Sequence, residues 1–165
     1  MRALYAMKVS ELQEKFIDEL NMLLPEWKFV KRDRHFKLNH HGVMWFFHIS
    51  CVSHDSDFDA IGDVALEYLS GKKRMCIIGA ELGNIKGSGQ MRFPVSSSDE
   101  AARSAKSLYE FFVEVGLPFL NKYSDPNEVV TTLKRGGHEA MLISPFTDQH
   151  ETQINLMCHE YKISM

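Results

Sequence analysis

Nowhere in this sequence do apolar residues run together for anything near the roughly 18 positions of a membrane-spanning helix. The opening stretch, MRALYAMKVSELQEKF, has too short an apolar run and too much acid to read as a secretory leader. Cysteine is scarce: Cys51, Cys76 and Cys158 are widely spaced and odd in number. Such a set builds no disulfide framework and suits a reducing cytoplasm, with each thiol a small buried hydrophobe. Charge of one sign is lacking too, with 19 Lys and Arg against 22 Asp and Glu for a net −3. A sequence pI near 6.2 argues against a dedicated nucleic-acid protein. There is no internal repeat, no low-complexity tract and no linker long enough to divide domains.

What is present is ordinary globular material. The apolar fraction of 44% and charged fraction of 25% argue against disorder, and 165 residues suffice for one domain with a sizeable core. The charge is unevenly spread. Residues 27–92 carry ten basic groups against seven acids, whereas residues 93–165 carry six against ten. That asymmetry is small enough to be solvated surface.

The clearest single element is Ser97 to Leu120. Ser97 and Glu100 have capping-box spacing, and Asp99 and Glu100 place negative charge at the helix's positive end. Ala101, Ala105, Leu108, Phe112 and Val115 then step by threes and fours onto one stripe, opposite Asp99, Arg103, Lys106, Glu110 and Glu114. Gly116 reads as the left-handed residue that ends the helix, and Pro118 as the block to its continuation.

Ahead of it, Ser10 and Gln13 offer a second capping box for a helix carrying Val9, Leu12, Phe16, Leu20 and Leu23, ended by Pro25. From Trp27 the period drops to two. Trp27 and Phe29, then Phe36 and Leu38, alternate with lysines around a charged KRDR turn, the pattern of a hairpin. Asn39 to Gly42 is the next turn, and Val43 to Ser53 is a strand apolar on both faces, hence central or covered by a partner. Phe58 to Leu69 is ambiguous: Asp59, Asp63 and Glu67 suit a helix, but the alternation and Gly62 favour a strand. Arg74 to Leu82 is a further strand, Gly83 to Gly89 a flexible loop, and Arg92 to Val95 at most a short edge strand. Asp125-Pro126-Asn127-Glu128 starts a short helix reaching about Lys134, and a last helix begins near Asp148, with Glu151 completing a box and Ile154, Met157, Cys158 and Tyr161 turned inward. The fold expected is a single α+β domain over residues 1–165. It has an N-terminal helix, a four- to five-stranded, mostly antiparallel meander, and about three helices packed on one face of the sheet.

Three patterns carry possible chemistry. His35, His40, His41, His48 and His54 fall close together, followed by Asp55, Asp57 and Asp59, and imidazole with carboxylate suits zinc or a non-haem metal. Their spacing matches no named site, and the acidic run has Ala60 and Leu66 where a calcium loop needs Gly and Glu. The His-Glu pairs at His138, His150 and His159 lack the second histidine of a zincin, with Leu142, Ile154 and Ile163 in its place. The glycines Gly83, Gly87 and Gly89 lack the Lys-Ser/Thr ending of a phosphate loop. Lys28, Lys31, Arg32, Arg34 and Lys37 interleave with Trp27, Phe29 and Phe36, as in a single-strand-binding sheet, with Lys72, Lys73 and Arg74 expected at the same sheet end. Alternation turns those rings toward the core. No residue is thereby singled out as catalytic, cofactor-binding or metal-ligating.

The order of features in residues 75–133 resembles small bacterial α+β proteins of domain-of-unknown-function families and immunity proteins of toxin systems. It is carried by CIIGAELGNI, the Ser-Ser-Asp helix start, GLPFLNKYSD and the helix after it. This covers about a third of the chain and implies a compact binding protein without active-site residues. The reading favoured is a non-enzymatic, cytoplasmic protein-binding module, in concrete form a toxin-neutralising immunity protein, with a toxin or a second copy as partner. The alternatives are a metal-assisted hydrolase using His40 to Asp59, and nucleic-acid binding through Lys28 to Lys37.

Overall fold

The structure, a computed structural model, describes residues 7–165. Residues 1–6, part of the stretch read as carrying no leader, lie outside it. A helix α1 (Val9–Leu23) is followed by β1 (Lys28–Val30), β2 (His35–His40), β3 (Val43–Ser53), β4 (Phe58–Ser70) and β5 (Lys73–Glu81). These strands form an antiparallel meander in chain order, and β6 (Phe93–Val95) adds to β4 beyond the end of β5. Between β5 and β6 lies the short α2 (Leu82–Lys86); after β6 come α3 (Ser98–Phe111), α4 (Leu117–Tyr123), α5 (Pro126–Arg135), α6 (Gly137–Ile143) and α7 (His150–Tyr161). The expected α+β architecture is therefore present, with six strands once β6 is counted.

Phe58 to Ser70 is a strand, paired along ten positions with β3. Its even-numbered residues Phe58, Ala60, Val64, Leu66 and Tyr68 are buried, joining Phe36, Trp45, Phe47 and Ile49 on one sheet face. The helices cover that face: Phe16 of α1 meets Phe58 edge-on, and Tyr68 donates its hydroxyl proton to the carbonyl of Tyr123. A turn of only His41 and Gly42 joins β2 to β3, both at positive φ, as a two-residue hairpin demands.

Several local expectations are corrected. Gly116 is not left-handed; its φ is −73° and the chain stays helical through it. A π-helical turn, Phe112–Gly116, links α3 to α4, and Pro118 sits in the first turn of α4. The wider turn tolerates proline's missing N–H. Glycine is needed at position 116 for space: a Cβ there would stand 2.8 Å from Phe112 Cδ2 and 3.1 Å from both Leu82 Cδ2 and Val64 Cγ1.

The capping box at Ser97 forms only in half. Ser97 Oγ accepts from the Glu100 N–H at 3.1 Å, but the Glu100 carboxylate accepts from Ser96, at 2.7 Å from its N–H and 2.9 Å from its hydroxyl. Ser10 and Gln13 form no box, because the N-cap is Lys8, and Gln13 Nε2 instead donates to Ser53 Oγ at 3.0 Å. At α7 the N-cap is Gln149, without a side-chain cap, and Tyr161 is 39% exposed while Gln153 is buried.

Gly83 to Gly89 is not the flexible loop expected: its first half belongs to α2, which Glu81 caps. That carboxylate accepts from the N–H groups of Gly83, Asn84 (3.2 Å) and Met91 (3.4 Å), capping α2 and tying down its exit.

Candidate functional site

With the helical layer on one side, the outward positions of β2 to β5 form an open sheet face. Cross-strand register arranges it in rows. Asn39, Met44, Glu67 and Ile77 stand abreast; next come Lys37, Phe46, Ala65 and Gly79, then His35, His48, Asp63 and Glu81. Most of these side chains are half-buried, and Ile77 is 41% exposed.

Two features of this face are specific. The first is its relief. Phe46 stands up, with the His35 ring 4.7 Å from its own, and beside it lie Ala65 and Gly79. Position 79 admits no larger residue, since a Cβ would come within 2.6 Å of the Val64 carbonyl oxygen. The second is its charge. Lys28 and Lys37, registered partners on β1 and β2, lie on one side, and Asp59, Asp63 and Glu67 of β4 on the other. Asp63 lies 3.6 Å from His48 Nδ1, and Glu67 binds Arg74 at 2.8 Å.

The histidines flagged by the sequence do not converge. His35 and His48 are cross-strand partners on the open face. His54 sits 3.4 Å from Asp59, which Arg92 also reaches at 3.4 Å. His40 is at the opposite end of the sheet, stacked on the Trp45 indole with centroids 4.0 Å apart and planes 17° apart. Burial there, and next the neighbouring His41, hold its pKa below the ordinary value. His35 is lowered as well, chiefly by burial, against an opposing pull from Asp33. Among the described residues no group of three His, Cys, Asp or Glu side chains is placed to hold a metal ion.

The basic segment is divided in the same way. Trp27 packs edge-on against Phe112 at 5.5 Å and beside Trp45 at 6.3 Å, and Phe29 lies against Phe36, so these rings face the core. Lys31 and Arg32 occupy a 3-10 turn at the Glu81 end of the sheet. Lys72 to Arg74 sit at the opposite end, because Leu69 pairs with Arg74 while Arg34 bonds across to Ile49. The expectation of one basic sheet end fails on register. Leu69 lies seven residue steps along β4 from Gly62, which is abreast of Ile49, about 23 Å at strand rise.

Comparison with known proteins finds no matching family model, no matching curated protein and no matching solved structure. Among the described residues no helix is long and apolar enough to cross a membrane.

Proposed function

We propose that this protein is a non-enzymatic protein-binding module, that the open sheet face is its binding surface, and that the surface takes a second copy of the chain. The observation carrying this reading is the self-complementary layout of relief and charge. A two-fold axis parallel to the strands, between β3 and β4, lays each row on its own counterpart. Phe46 then faces the Ala65 of the second copy, and Lys37 faces its Gly79, flanked by the acids of β4. Each knob meets a hollow and each cation meets the acidic side, twice by symmetry.

The size is that of a small interface. Strands β2 to β5 hold 6, 11, 13 and 9 residues, and at about 3.3 Å per residue and 4.8 Å between strands they present about 600 Å² of face, against the roughly 800 Å² each partner gives a standard interface. Sheets packed face to face cross at about −30°, so the axis runs close to the strand direction and the rows superpose best in the middle one, where Phe46 and Ala65 stand.

Sedimentation of the full chain tests this. The expected species is twice the 19.0 kDa monomer mass. Phe46→Glu, on a half-buried surface position, is expected to yield a folded monomer whose cooperative melting no longer depends on protein concentration, as that of the wild type does. A wild-type chain that stays monomeric at high micromolar concentration overturns the reading, and is the outcome expected if the face serves a different protein, such as a toxin.

A further inference from the structure

A second stripe of α1 is left outside the core. Glu14, Ile17 and Asp18 lie beside the buried Leu12, Phe16 and Leu20 and form one wall of an open cleft of about 420 Å³. The facing wall comes from Phe29, the β1–β2 turn with Lys31 and Arg34, and Cys51 of β3. The floor is apolar, through Ile17 and Phe29. The rims carry opposite charges, carboxylates on the helix and cations on the turn.

Arg34 is held in an unusual way. Its backbone is left-handed, φ 50° and ψ 43°, while its carbonyl accepts the Ile49 N–H at 2.9 Å. Asn or Gly would adopt this conformation with less strain, yet an arginine occupies it. Its guanidinium lies against the Cys51 thiol, lowering a pKa that burial raises by more. Among the described residues, none of Glu14, Asp18, Lys31 or Arg34 has a salt-bridge partner within 4.0 Å. The two rims thus hold two charges of each sign, none of them in an ion pair with another described residue.

We infer that this cleft binds a small zwitterion, a free α-amino acid with an apolar side chain. The carboxylate is taken by Arg34 and Lys31, the ammonium by Glu14 and Asp18, and the side chain by Ile17 and Phe29. A guanidinium fork suits a carboxylate, and the cleft lies within the roughly 300–1,000 Å³ of small-ligand sites. A ligand of one sign would leave the opposite rim unmatched and repel its own. The site is on the helix side of the sheet and is independent of the proposed pairing face.

The test is a two-dimensional NMR titration of the isotope-labelled full chain with each standard free L-amino acid. At least one apolar amino acid is expected to shift the amide signals of Ile17, Phe29 and Arg34 and to saturate. Its N-acetyl and amide derivatives, each lacking one charge, are expected to bind at least about tenfold more weakly. Asp18→Asn is expected to weaken binding similarly. Arg34→Asn is expected to weaken it while leaving the melting temperature the same or higher, which a merely structural arginine would not do. The inference is overturned if no amino acid shifts these signals at about 10 mM, or if the singly charged derivatives bind as well as the parent.

Discussion

The ring of Phe112 lies flat on the ring of Phe47, with centroids 4.2 Å apart and planes 9° apart. Both residues are almost wholly buried, and Trp27 closes on Phe112 from a third direction. The central strand, the chain entering β1 and the junction between α3 and α4 therefore meet at one aromatic contact. Replacing Phe112 by Ala leaves a cavity where three elements converge. The expected cost is about 3–5 kcal/mol of unfolding free energy, read from urea denaturation. A loss below about 1 kcal/mol would mean that the site collapses freely and the contact is dispensable.

Gly116 sets how closely that junction approaches the sheet. Alanine is the better helix former by about 1 kcal/mol, so a surface glycine here would gain from the change. The new methyl would meet Phe112 at 2.8 Å, and Phe112 is pinned against Phe47. Overpacking of this kind costs about 1–3 kcal/mol, so Gly116→Ala is expected to be net destabilising. A raised urea midpoint would show that the ring can move aside.

Histidine links stability to pH. Burial holds the His40 and His35 pKa values below 6.5 in the folded protein. Unfolding returns them to about 6.5, so between the two values the unfolded chain binds more protons. The stability concerned is fully present above about pH 6.5 and is lost as pH falls toward the folded values. Urea midpoints are expected to decline from about pH 7 to pH 5, and His40→Gln to flatten part of that slope. An NMR titration placing His40 at or above its ordinary value would contradict the assignment.

The elements legible in the sequence share a local cause. Asp125 caps α5 through the Asn127 N–H at 2.9 Å with Pro126 behind it, because a side chain two residues from its target needs no tertiary help. The alternation of Phe58 to Tyr68 is enough to place a strand, since burial on one face has period two. Where expectation and structure part, the deciding partner is remote in sequence. Gly116 has the position of a helix terminator, and only Val64 and Leu82 closing on it show that it is a spacer. Glu81 gives no signal of organising Gly83 to Met91, since the donors its carboxylate gathers are main-chain groups, which every residue type but proline carries. Lys72 to Arg74 fall at the sheet end opposite to the one expected, because a hairpin pattern does not state its register.

The candidate surfaces follow the same division. By itself the sequence determined that this chain forms an α+β domain, which of its residues alternate, and where most helices start, because propensity, capping and burial period act within a few residues. Only the tertiary structure decided that Phe46 stands beside Ala65 and Gly79, that the histidines separate, and that Glu14 and Arg34 line one cleft. Those relationships are set by strand register and by how α1 lies on the sheet, and both are settled by packing between segments far apart along the chain.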